Sequence, residues 1–338
     1  MYTLRVAIAL GGLLGMSPAD DAEKAEYKKT PGPHAVAEAL FDWRDQARDR
    51  DVPVKVYYPQ AGGGPFPVIV FSHGLGGSRE TYSYLGRHWA GHGYVCVHVQ
   101  HVGSDESVWK GQTRPMEAMK RALLDPRNTL NRPPDVRFVL DRLEKLQTED
   151  GPLKGRLDLA RIGMGGHSFG AFTTLAMAGQ VFVTPAGRTL AVGDARIRAA
   201  IAMSPNAPTR RDALDGNYAA IRIPILHMTG TRDDSPLGDT RPADRRIPFD
   251  HIKAPDQYLL IFKDGDHMVF SGRKRLRGDE NNRDQHFQAL IRQATTAFWD
   301  AFLKNDLAAR RWLREGGCEA MLGQDGTFEK HVAATRPG

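Results

Sequence analysis

Gly166-His167-Ser168-Phe169-Gly170 is the segment of this chain best suited to covalent chemistry. A serine between two glycines, entered from an apolar stretch at 162–166 and left through small residues at 171–178, fits a strand-to-helix turn. The glycines matter because side chains at those positions would collide with neighbouring backbone. Such a turn holds the Ser168 hydroxyl at the carboxyl end of a strand. It also aims the N–H groups of the helix start at the same place, where negative charge is favoured. The competing reading of a glycine-rich run, a dinucleotide fingerprint, fails here. Gly163 and Gly165 would need glycine at 168, and serine stands there.

A serine nucleophile needs a base, a group that orients the base, and donors for the oxyanion. His267 is the natural base, because Asp264-Gly265-Asp266-His267-Met268 directly follows the apolar run at 258–262. The run at 223–229 leads into Gly230-Thr231-Arg232-Asp233-Asp234. Both aspartates therefore stand just past a strand, in the chain order serine, acid, histidine. Successive side chains of an extended segment point to opposite sides, so only one of the two can face the imidazole; Asp266, beside the base, is the reserve candidate. Ser72-His73-Gly74-Leu75-Gly76-Gly77 follows another buried-strand run. Its glycines let backbone N–H groups turn toward a bound carbonyl, so the expected donors are the N–H of Leu75 and of Phe169. His73 reads as an anchor for this loop rather than a second base. His98 and His101 suggest a metal at first sight, but no carboxylate or third histidine completes a ligand set by spacing, and no metal or cofactor is expected.

Several elements must position these residues. Strand-like runs lie at 35–42, 51–58, 66–72, 94–100, 162–166, 197–203, 223–229 and 258–262, the first two suggesting an antiparallel start. Helical patterns fall at about 80–92, 135–146, 171–178 and 284–303. Strands separated by helices imply an α/β fold: a mostly parallel sheet of about eight strands, helices on both faces, in one domain over residues 34–305. Residues 306–338 read as a polar C-terminal tail. The stretch 102–132 is the longest irregular insertion and the natural source of a partial cover over a site. The segment 204–222 is too short to hold a large lid domain.

Taken together, these motifs resemble the serine α/β-hydrolases, in the group of dienelactone-hydrolase-like esterases and plasma-type platelet-activating-factor acetylhydrolases. FSHGLGGSRETYSYLGRHWAGHGYVCVHVQH resembles that group's oxyanion loop with the helix and strand after it. GGHSFGA resembles its elbow, and GTRDD and GDH its acid and base loops; the similarity spans roughly residues 35–303. Dienelactone hydrolases proper carry a cysteine nucleophile where this chain has Ser168. The resemblance implies an α/β-hydrolase fold and a triad of Ser168, Asp233 and His267. Asp233 is chosen over Asp234 because the group's acid usually lies three residues past a strand-end glycine.

The implied reaction is hydrolysis of carboxylic esters through an acyl-enzyme, on short-acyl or soluble esters because no lid is inserted. Lipase- or phospholipase-type acyl hydrolysis and polyester hydrolysis are the alternatives within that class; an amidase or peptidase and a catalytically silent binding module lie outside it. Composition agrees with a soluble enzyme: hydrophobic residues make up 41% and charged residues 25%, ordinary for a globular domain. The net charge of +6 is dispersed and aromatics are only 8%, which argues against nucleic-acid binding. The basic run from Arg273 to Arg277 reads as a solvated loop sooner than as a contact for an acidic substrate. Two cysteines, Cys96 and Cys318, exclude a disulfide scaffold and are not expected to pair. Arg5, the apolar run from Val6 to Met16 and the small residues of Ser17-Pro18-Ala19 stand in signal-peptide order. A signal over residues 1–19, a secreted or periplasmic location and no stable membrane anchor follow as expectations. The expected partner is a small-molecule or lipid-like ester.

Overall fold

The computed structural model describes residues 27–183, 187–208, 210–273 and 283–332. The proposed signal segment and most of the basic run after Arg273 lie outside the described residues. A nine-stranded sheet organises the chain: β1 (Val36–Asp45), β2 (Arg50–Pro59), β3 (Phe66–Ser72), β4 (Val95–Val99), β5 (Leu157–His167), β8 (Ile197–Met203), β9 (Ile225–Arg232), β10 (Gln257–Asp266) and β11 (Gly326–His331). Between β5 and β8 a separate two-stranded hairpin forms from β6 (Val181–Val183) and β7 (Thr189–Ala191). In the main sheet the spatial order is β1-β2-β4-β3-β5-β8-β9-β10-β11. The six strands from β4 to β10 are mutually parallel, while β1, β2 and β11 make antiparallel pairings at the edges.

The helices are α1 (Ser83–Gly91), α2 (Pro115–Leu124), α3 (Pro126–Leu146), α4 (Phe169–Ala178), α5 (Leu214–Tyr218), α6 (Ile247–His251), α7 (Arg283–Leu303), α8 (Leu307–Arg314) and α9 (Gly317–Leu322). Strand β3 is apolar almost throughout because both of its faces are covered. Ile69 and Phe71 point into a cluster with Trp89 of α1 and Phe298 and Trp299 of α7. Val68 and Val70, one residue out of phase, meet Val136, Val139 and Leu140 of α3. Each fully buried side chain of this size contributes about 1.5–3 kcal/mol, so the two layers hold the sheet whose carboxyl ends carry the site.

Three segments differ from the sequence reading. Residues 307–331, read as a polar tail, are built into the domain. Ala309, Trp312 and Leu313 of α8 and Cys318 of α9 join the main core, and β11 pairs with β10. Arginine on the outer face of α8 hides this amphipathic pattern in the bulk composition. The supposed irregular stretch 102–132 contains α2 and the first turns of α3. Pro133 and Pro134, which lie inside α3 although proline removes a helix hydrogen bond, mask the start of that helix. The hairpin β6–β7 has strands of only three residues, too short to show a period. Cys96 and Cys318 are both buried and free.

Candidate active site

Ser168 sits between the last residue of β5 and the first of α4, with φ 56° and ψ −116°. A non-glycine residue at positive φ is strained, and neighbouring contacts must hold it there. The Ser168 N–H donates to the carbonyl of Met203 at the end of β8, at 2.9 Å. The flanking glycines leave no room for anything larger. A Cβ at Gly170 would lie 1.9 Å from the Ser72 carbonyl oxygen, and one at Gly166 would lie 2.4 Å from the Gly170 carbonyl oxygen. The elbow is therefore pressed against the end of β3, which places Ser168 beside the loop at 73–77.

His267 follows β10, and its Nδ1 lies 2.7 Å from Oδ1 of Asp233, the residue after β9. Asp233 is fully buried and accepts from further donors. Oδ2 takes the hydroxyls of Ser204, at 2.6 Å, and Thr229, at 2.8 Å. The Asp233 carboxylate faces Nδ1 of the imidazole, which turns Nε2 away from the pair. Asp234 is exposed, and Asp266 accepts from the backbone N–H of Met268. Ser168 and His267 line one cleft of about 890 Å³. Met116 and Met119 of α2, Phe172 of α4 and Phe182 of β6 give it an apolar wall. The insertion thus supplies part of the cover over the cleft.

The loop after β3 carries Leu75 toward the same cleft. Among the described residues no backbone carbonyl accepts the N–H of Leu75. Phe169 opens α4, where the first N–H groups have no acceptor within the helix. His73 is buried with Nδ1 2.7 Å from the Gly74 carbonyl and Nε2 accepting the N–H of His101 at 3.0 Å. Burial and the neighbouring Arg132 hold its pKa well below the usual imidazole range, so it stays neutral and anchors the loop. His101 is pushed down to about 4 by burial and Arg132; its ring bridges Ser72 Oγ, at 2.9 Å, and Asp135 Oδ2, at 3.0 Å. Burial alone would raise Asp135, but His101 and Arg50 hold it at about 2.

Sequence reasoning missed two buried arginines. Arg245, in the short 3-10 turn Pro242–Arg246, lies against the acid: Nε is 2.9 Å from Asp233 Oδ1, and Nη1 donates to the Ser204 carbonyl at 2.8 Å. Its Nη2 is 3.2 Å from His267 Nδ1. Burial lowers its pKa, and the charge of Asp233 opposes that shift. Arg132 of α3 lies beneath the loop at 73–77. Both stand in charged, turn-rich stretches that look like surface, and no local pattern distinguishes them. His167 stands between Gly166 and the serine. It packs its ring 4.6 Å from that of His267 and pairs Nδ1 with the Tyr82 hydroxyl at 2.8 Å.

A parallel sheet with antiparallel edges, a strained serine turn after its central strand and an acid–histidine pair past later strands make this an α/β-hydrolase fold. Comparison with known proteins narrows the class. A family model described as platelet-activating factor acetylhydrolase, isoform II, matches residues 35–121. The chain is 30% identical over 185 residues to the platelet-activating factor acetylhydrolase of Cavia porcellus, covering 46% of this chain and 38% of that protein. It is 27% identical over 149 residues to the enzyme of the same name from Canis lupus familiaris, covering 35% and 33%. The chain spans less than half the length of the curated relatives it matches. The family match includes the loop at 73–77 and ends before Ser168.

Proposed function

We propose that this chain is a serine-dependent carboxylic ester hydrolase working through an acyl-enzyme. The observation that carries the reading is the buried Asp233–His267 pair at 2.7 Å, opening on the same cleft as a serine held at positive φ. Ser168 Oγ attacks the ester carbonyl while His267 Nε2 takes its proton, with Asp233 holding Nδ1–H. The N–H groups of Leu75 and Phe169 receive the oxyanion. Collapse of the tetrahedral intermediate breaks the bond to the alcohol oxygen, which leaves with the proton from His267. Water, activated by the same imidazole, then releases the acid and restores Ser168.

Two measurements test this. Wild-type protein should hydrolyse p-nitrophenyl acetate and react with a fluorophosphonate probe. Ser168→Ala loses roughly 10⁶ in kcat and the label, with an unchanged circular-dichroism spectrum. Labelling of both proteins, or retained turnover, refutes the assignment. Short-acyl esters are the preferred substrates on the argument from 204–222, a segment too short to form a lid domain. The apolar cleft wall and the resemblance to platelet-activating factor acetylhydrolases favour a second reading, a lipid-like ester. A series of p-nitrophenyl esters from acetate to palmitate separates the two. Activity that jumps when substrate micelles form favours the lipid reading. No helix among the described residues is long and apolar enough to cross a membrane. We further propose export with cleavage near Asp20, tested by N-terminal sequencing of exported protein; retention of Met1 would refute it.

A further inference from the structure

Arg132 is fully buried, yet among the described residues no carboxylate lies within ion-pair distance of it. Its partners are neutral. Nη1 donates to the His73 carbonyl at 2.7 Å and reaches Ser72 Oγ at 3.3 Å, and Nε donates to Ser104 Oγ at 3.1 Å. The guanidinium centre lies 4.1 Å from the centroid of the Phe169 ring. Asp135, which also connects to it through His101 and Ser72, and Asp105 attract this cation only from beyond ion-pair distance. Burial lowers the Arg132 pKa to about 9, a cost that an apolar side chain would avoid. Arg245, by contrast, is buried against its own carboxylate.

The groups that Arg132 touches explain its place. His73 begins the loop that presents Leu75, and Phe169 follows the serine. Ser104 also accepts the Gly76 N–H on its carbonyl, at 2.9 Å, so one side chain braces the loop from two directions. We infer that Arg132 is a positioning residue for the oxyanion site: it fixes the loop at 73–77 relative to Phe169 and holds a positive charge without a directly paired carboxylate behind both donors. The inference rests on the esterase reading above. It adds that transition-state charge is stabilised by this cation as well as by the two N–H groups. Preorganised charge in a dry site acts strongly there and costs no reorganisation during reaction. Substrate binding, made by the cleft wall, should be nearly indifferent to it.

The test compares wild type, Arg132→Met and Arg132→Lys with p-nitrophenyl butyrate, normalised to folded protein by circular dichroism. Removing a direct oxyanion donor costs about 10²–10³ in kcat, and a residue acting behind the donors should cost less. We expect Arg132→Met to lose about 10- to 100-fold in kcat with KM within about threefold, and Arg132→Lys to recover part of the loss. Fluorophosphonate labelling builds charge at the same donors and should slow by a similar factor. A folded Arg132→Met with kcat and labelling rate within twofold of wild type overturns the inference, as does a loss confined to KM. Where Arg132→Met does not fold, Arg132→Lys decides. A kcat at least about fivefold lower at constant KM supports the inference, and wild-type kcat overturns it. A wild type that neither turns over nor labels overturns the esterase reading, and this inference with it.

Discussion

Arg245→Met probes the buried charge pair behind His267. Arg245 and Asp233 are both fully buried, 2.9 Å apart, and the guanidinium also satisfies the carbonyls of Ser204, at 2.8 Å, and Asp233, at 2.7 Å. Methionine fills much of the same space but leaves those carbonyls without a donor and Asp233 without its cation. Breaking a buried pair by removing one partner costs about 3–5 kcal/mol. For a chain of 338 residues, each kcal/mol is worth about 2 °C, so Tm should fall by about 6–10 °C. Loosening Asp233 also frees His267, and kcat per folded enzyme should drop by as much as about 10²-fold. The double variant Asp233→Asn/Arg245→Met removes both charges, and its loss of stability should fall short of the summed single losses by about 1–3 kcal/mol. Thermal unfolding by circular dichroism and steady-state hydrolysis of p-nitrophenyl butyrate measure the two effects. A Tm shift under about 2 °C, or strict additivity in the double variant, would show that Arg245 is not coupled to the acid.

The remaining predictions address the triad, the elbow and pH. Asp233→Asn should lower kcat by about 10⁴, while exposed Asp234→Asn stays within about tenfold of wild type; the reverse result would move the acid by one residue. Gly170→Ala places a Cβ 1.9 Å from the Ser72 carbonyl and should abolish soluble, active protein, whereas Gly63→Ala meets nothing within 4 Å and should change stability by less than about 0.5 kcal/mol; equal expression and Tm for the two would refute the elbow argument. Burial holds His73 and His167 well below the ordinary imidazole range, His98, His101 and His227 at about 4, and His88 at about 3. The unfolded chain binds these protons near pH 6.5 and the folded chain does not. Stability is therefore full above pH 6.5 and falls toward pH 4, by about 1.4 kcal/mol per pH unit for each such histidine. Urea midpoints that stay flat from pH 7.5 to 5 would contradict this.

Local residue patterns determine much of this molecule. The run Phe66–Ser72 reads as a strand covered on both faces, and the glycines around Ser168 as places where backbone passes close by. Those signals are short-range, so the expected order along the chain, serine, acid, histidine, can be read without coordinates. The edges of the fold are less so. Helix α8 buries Trp312 and Leu313 behind a face of arginines, and α3 runs through two prolines, so local composition points the wrong way in both. The preference for Asp233 over Asp234 needed a resemblance at the sequence level; only the folded structure brings the Asp233 carboxylate to Ser204, Thr229 and His267. Arg132 and Arg245 were beyond any sequence argument. A buried cation is defined by what surrounds it, and their neighbours, Ser72, His73 and Phe169 for one and Asp233 and Ser204 for the other, come from distant segments that only the folded sheet brings together.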